Sequence, residues 1–196
     1  MAVVRRVEKR DIIVETAKDL FWKFGFRKVT VDEICLKAEV SKMTFYRHFT
    51  NKTELAKFII KLVIDKGMDD FRNIMNSDYS TDERMKRIIR LKMEGVKEIS
   101  REFIEDLYTD KNSQLQQYMI EKSEEAWNGF IKEFRDAQDR GVFRKGFKPE
   151  LLLALSRQML NILEDDKIMS IYSSPQELIM ELTTLTAYGI APDKES

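Results

Sequence analysis

Helix breakers are scarce in this 196-residue chain, which has 3 prolines and 7 glycines, and it carries a single cysteine and a single histidine. With Leu, Met, Lys, Glu and Ile abundant and sustained strand-like alternation missing, an all-helical (all-α) chain is predicted. The lone Cys35 excludes an intrachain disulfide, which a chain long enough to bury a full core does not need. It reads as a small core residue beside Ile34. One His and one Cys cannot build a His/Cys metal cluster; no glycine-rich phosphate loop occurs, and no nucleophile and base assemble in a recognisable pattern. An enzyme, a resident metal and a cofactor are therefore not expected. Long apolar runs are missing too. The densest, "LLLAL" at 151–155, is too short to cross a bilayer, and "MAVVRRVEKR" at the start lacks the apolar core of a signal peptide. The expectation is a soluble, cytoplasmic protein with no membrane partner.

Net charge is also absent, with 34 Lys+Arg against 34 Asp+Glu, but the balance hides a segregation. Up to residue 60 there are 13 cations and 8 anions, so the first part carries +5 and the remainder −5. That pattern fits a basic, anion-binding module joined to an acidic one.

Apolar spacing and capping residues set the helices. Ile13, Ala17, Leu20, Phe21 and Phe24 recur at helical intervals over residues 7–24, and Gly25 is placed to end the helix. Thr30 followed by Glu33 is a capping box opening a short helix over residues 31–38. Ser41 caps another over 42–49, and Asn51 with Glu54 opens a long one that continues to about 76. Two very short helices joined by the turn "AEV" at 38–40 are a helix-turn-helix. Beyond them, Ser80 with Glu83 starts a helix to about 100, and a shorter one follows to about 108. Residues 113–140 form a long helix with an unusually wide apolar stripe. Residues 150–163 and 175–190 end the chain as two helices with more apolar surface than one chain readily covers. This surplus predicts a homodimer built from two helices of each copy, with Leu152, Leu155, Met159, Ile162, Leu178, Leu182, Leu185 and Tyr188 in the interface. The count is about nine helices.

The segment "VSKMTFYRHF" at 40–49 is the most informative. As a helix it turns Val40, Phe45 and Phe49 inward and leaves Lys42, Thr44, Tyr46, Arg47 and His48 largely outside. A cationic face of this kind is commonly plain solvated surface, so its context has to decide.

That context resembles the N-terminal DNA-binding domain of the TetR family of bacterial transcriptional regulators. The likeness runs from Lys9 to Leu55 through "AKDLFWKFGF", "VTVDEI", "VSKMTFYRHF" and "NKTEL"; the later segments "DRGVFRKGFKPELL" and "LTTLTAYGI" fit the family in layout only. The resemblance implies a helix-turn-helix DNA-binding domain over 1–52 and a helical ligand-binding and dimerisation domain over 53–196. It implies a transcriptional repressor in the bacterial cytoplasm, binding a palindromic operator in double-stranded DNA as a homodimer and released by a small-molecule effector. A helical protein-binding adaptor without sequence-specific DNA binding is the alternative. Glu39 and Met43 depart from the family, which often has glycine at the first position and a small residue or glycine at the second.

On this footing Lys42, Met43 and Thr44, in the first turn of the recognition helix, are the candidates for base contact. Tyr46 and His48 fall where the family grips phosphate, and Arg47 can reach backbone or base. Thr30 and Lys52 stand at helix starts, where unpaired N–H groups favour a phosphate. For the effector, Met93, Phe103, Leu107, Tyr108, Tyr118, Trp127, Phe130 and Phe134 are candidate lining residues of a cavity suited to an apolar or aromatic molecule. The long helix over 51–76 would carry the effector's bias to the basic module.

Overall fold

The computed structural model describes residues 8–108, 114–163 and 165–189, leaving aside the side chains at 81, 96, 108, 153, 156, 157, 159 and 160. Among the described residues all regular structure is helical: α1 (Lys9–Phe24), α2 (Val31–Lys37), α3 (Lys42–His48), α4 (Lys52–Asn76), α5 (Thr81–Lys97), α6 (Arg101–Tyr108), α7 (Gln114–Asp139), α8 (Pro149–Leu163), α9 (Asp166–Met169) and α10 (Pro175–Gly189). The helix beyond the expected nine is α9, a single turn that the Asp165 carboxylate caps by accepting from the N–H groups of Lys167 and Ile168.

The helix ends follow the capping chemistry. Both halves of the Thr30–Glu33 box form, Ser41 Oγ accepts the Thr44 N–H, and Asn51 Oδ1 accepts the Glu54 N–H. At α10 the Ser174 hydroxyl accepts from Glu177 N, but the Glu177 carboxylate reaches the N–H of Ser173 rather than that of the cap itself. Two helices end in the same six-residue hydrogen-bonded wrap. After α7, Gly141 (φ 75°) sends its N–H to Gln138 O while Val142 N–H reaches Ala137 O. After α2, Glu39 (φ 52°) sends its N–H to Leu36 O while Val40 N–H reaches Cys35 O.

The chain packs as two compact units, one from residues 1–62 with 99–119 and one from 63–98 with 120–196, so the boundary falls inside α4 and inside α7. In the first, α1 packs against α2, α3 and α6, and α2 against α3. Ile13, Ala17, Phe21, Ile34, Phe45, Leu55 and Ile59 are fully enclosed there. The burial of Phe45 alone contributes about 2–3 kcal/mol. The second unit is built around Met75, Met85, Phe130, Phe134, Ala137, Val142, Phe143, Phe147, Leu152 and Ala187. Within it α10 lies chiefly on α5 and also meets α8. The buried Gln138 side chain donates to the carbonyls of Arg144 and Phe147 and so ties the loop after α7. No helix among the described residues is long and apolar enough to cross a membrane.

Candidate nucleic-acid interface

α3 is held by its apolar side. Phe45 is fully buried and Phe49 nearly so, and their rings form a tilted pair 6.1 Å apart, continued by Phe49 against Phe58 at 5.7 Å. Val40 is half-buried. With those positions fixed inward, the helix turns Lys42, Met43, Tyr46, Arg47 and His48 to solvent. Met43 is 74% exposed and Tyr46 54%, although the Tyr46 ring also sets its edge against Phe45 at 5.3 Å. Two cations, a phenol, an imidazole and a thioether thus stand on one short helix face. That set supplies N–H and O–H donors and one apolar tip, the groups that phosphates, base edges and a thymine methyl accept.

Three of the expected contact residues are engaged inside the domain. Thr44 is buried, and its hydroxyl lies 3.0 Å from that of Ser41, the cap of α3. The Thr30 hydroxyl donates to Glu33 Oε2 at 2.9 Å and accepts the Glu33 N–H at 3.2 Å, which leaves it no proton for a phosphate. The Thr30 N–H donates to the same carboxylate at 2.7 Å, and these two bonds from Thr30 hold the Glu33 carboxyl below its ordinary pKa. Lys52 is the most fully engaged of the three. Its ammonium donates to the carbonyls of Phe26 (2.7 Å), Arg27 (3.3 Å) and Val29 (2.6 Å) and lies over the Phe26 ring at 4.3 Å. Every N–H of the ammonium is spent on the α1–α2 connection, and burial pulls its pKa down. It is a clasp within the fold.

Two residues that sequence reasoning passed over belong to this region. Asp32, in the first turn of α2, places Oδ1 2.8 Å from Lys42 Nζ, and this carboxylate raises the lysine's pKa. Asp106 of α6 accepts the Arg27 N–H at 2.9 Å and faces the Arg27 guanidinium at 3.3 Å. Neither partnership has a local sequence signature, because one joins α2 to α3 and the other joins α6 to the α1–α2 connection. Cys35 is buried as expected, and burial pushes its thiol pKa up, which suits a core residue.

The effector candidates divide between the units. Phe103, Leu107 and Tyr118 belong to the first; Phe103 and Leu107 are buried there, and the Phe103 ring meets that of Trp22 of α1 in a tilted pair 4.5 Å apart, which helps to seat α6. Met93, Trp127, Phe130 and Phe134 belong to the second, where Phe130 and Phe134 join Phe71 and Trp127 in an aromatic cluster and Met93 is exposed. The Tyr108 side chain lies outside the described residues. Of the expected interface residues, Leu152 and Leu178 are buried in their own chain, which removes them from any free face. Leu155, Leu185 and Tyr188 are exposed, Ile162 and Leu182 are half-buried, and the Met159 side chain lies outside the described residues.

Comparison with known proteins points the same way. Residues 13–58 match the family model for bacterial regulatory proteins of the tetR family. An uncharacterised helix-turn-helix transcriptional regulator of Bacillus subtilis strain 168, YerO, is 36% identical over 67 residues, covering 34% of this chain and 23% of its own length. The chain thus spans less than a quarter of that relative. Two solved structures share the fold over nearly their whole length. The fatty acid degradation regulator FadR from Bacillus halodurans has a TM-score of 0.66 at 16% identity, over 94% of this chain and 97% of that one. A regulator from Saccharomonospora viridis in complex with choline has a TM-score of 0.65 at 16% identity, over 93% and 97%. At such identities the likeness is one of fold. The Bacillus subtilis relative is named a transcriptional regulator and the Bacillus halodurans protein a regulator of fatty acid degradation. Residues 13–58, with the solvent-facing α3 among them, thus match the tetR-family model, and α2 and α3 are the helix-turn-helix of that segment.

Proposed function

We propose that the protein is a ligand-responsive transcriptional repressor that binds a palindromic operator as a homodimer and is released by a small-molecule effector. Residues 1–52 act as the DNA-binding domain and residues 53–196 as the ligand-binding and dimerisation domain. The carrying observation is α3 itself: Phe45 is fully buried while Lys42, Met43, Tyr46, Arg47 and His48 face solvent together. In the major groove, Lys42 would donate to guanine and Met43 would touch a thymine methyl, with Tyr46 and His48 on phosphates and Arg47 within reach of either. The dimer reading draws on Leu155 of α8 and on Leu185 and Tyr188 of α10, large apolar side chains left exposed on helices whose other faces are covered. The effector reading draws on the cluster of Phe71, Trp127, Phe130 and Phe134, whose composition suits an apolar or aromatic molecule. The choline bound by the Saccharomonospora viridis regulator suggests including a quaternary ammonium among the compounds tried.

The test is selection of bound duplexes from a random pool at moderate salt, repeated with metabolites and drugs present. The expected product is a pseudo-palindrome whose half-sites lie about 34–36 Å apart, one helical turn. Affinity is expected to fall by about 10³–10⁵ between 50 and 200 mM salt, as for a protein neutralising some 6–10 phosphates. A pool that never enriches would refute the reading.

A further inference from the structure

The Asp32–Lys42 contact has no explanation in folding. Both side chains are largely exposed, 68% and 61%, and an ion pair in that setting contributes little stability. Its position does have meaning, because it puts a carboxylate beside the first cation of the helix that we read as entering the groove, and the inference rests on that reading. We propose that Asp32 is a specificity-determining residue: held 2.8 Å from the Lys42 ammonium, it makes Lys42 a reader of neutral base edges and a poor binder of phosphate.

The physics is a comparison of two partners for one ammonium. An unpaired lysine is drawn to any phosphate, which strengthens binding to every sequence alike. With Asp32 in place the pair carries no net charge. A phosphate brought to hydrogen-bonding distance of Nζ would then stand within roughly 6 Å of the carboxylate, where repulsion offsets most of the attraction. A guanine edge meets no such penalty, since O6 and N7 are uncharged acceptors. Lys42 still has N–H donors to give them after bonding Asp32. The carboxylate therefore costs the non-specific complex more than the specific one and widens the gap between them.

Asp32 does not belong to the capping box, which is made by Thr30 and Glu33, so its substitution leaves the start of α2 bonded. The experiment uses the full chain, the duplex enriched by selection, a scrambled duplex of equal length, and salt titrations between 50 and 200 mM. For Asp32→Asn, binding to the scrambled duplex is expected to tighten roughly threefold, with the logarithmic salt slope steeper by about 0.9. Binding to the selected duplex should move less, so the ratio between them falls. Asp32→Glu should keep the wild-type slope, and thermal unfolding checks that each variant is folded. In a Lys42→Ala background the effect of Asp32→Asn should largely vanish; an equal effect there would mean simple loss of a negative charge and would overturn the proposal, as would an unchanged slope in the single variant. If wild-type and variant proteins both ignore every duplex at 50 mM salt, the DNA-binding reading fails first and the proposal with it. A wild type that binds while the slopes coincide sinks Asp32 alone.

Discussion

The Asp106 carboxylate closes on Gly25: a Cβ at residue 25 would lie 2.7 Å from Asp106 Oδ2, the oxygen that already accepts the Arg27 N–H. Gly25 also holds φ 85° and ψ 157°, a backbone region that only glycine visits without strain. Asp106 is nearly enclosed, with 13% of its side chain exposed, and the Ser100 N–H docks on Trp22 O at 2.7 Å beside it. The end of α1, the α1–α2 connection and α6 thus meet at one carboxylate.

Gly25→Ala should therefore be costly twice over, through backbone strain and through displacement of Asp106, by about 2–3 kcal/mol in all. Asp106→Ala removes an acceptor but strains nothing and should cost about 1–2 kcal/mol. Urea unfolding followed by Trp22 fluorescence, in a Trp127→Phe background, measures both. Equal effects, or no effect from Gly25→Ala, would contradict the account.

Glu39 gives the opposite sign. Its φ of 52° puts a side-chain-bearing residue at the left-handed position of the α2–α3 turn, where its N–H and that of Val40 close on the carbonyls of Leu36 and Cys35. The same wrap after α7 uses Gly141. Glu39→Gly should accordingly stabilise the first unit by up to about 1 kcal/mol with the turn unchanged. A destabilised Glu39→Gly protein would show that the glutamate side chain has a compensating role that its exposed position does not suggest.

Lys52 looks from its sequence position like a phosphate contact, and in the structure its ammonium is bonded to the carbonyls of Phe26, Arg27 and Val29. Lys52→Met, which keeps the stem over Phe26 but removes the donors, should lower the stability of the first unit by about 2 kcal/mol, as the carbonyls of Phe26, Arg27 and Val29 lose a charged partner. The loss should appear in denaturant unfolding without any DNA. If stability is untouched while binding weakens uniformly across sequences, the residue grips phosphate after all.

The contrast between Lys52 and Phe45 marks how far the sequence could be read. Caps, breakers and apolar spacing are local, so Gly25, the Thr30–Glu33 box, Ser41 and the inward face of α3 were all legible, and with them the helix-turn-helix. What a polar side chain does with its donors is decided by helices far away in the chain. Lys52 reaches back 26 residues to Phe26, and Asp106 reaches 79 residues to Arg27, and nothing in the spacing announces either. Apolar periodicity also says that Leu152 and Leu155 are both wanted indoors, but cannot say whether the cover is this chain or another.

That last distinction can be tested on α8 and α10. Leu152 is buried in its own unit, whereas Leu155 and Leu185 are 49% and 65% exposed. Leu152→Glu should disrupt the second unit outright, because a carboxylate cannot be hydrated in that core. Leu155→Glu with Leu185→Glu should change the stability of a single chain by no more than about 0.5 kcal/mol each, since exposed substitutions seldom do more. If these two leucines are covered by a second copy, the double variant should instead lower the mass seen by light scattering from that of a dimer to that of a monomer. Binding to the selected duplex would then weaken far more than to a single half-site, because linking two half-site contacts is what makes the second binding step local. A double variant that stays dimeric with unaltered operator binding would mean that these leucines lie outside the interface.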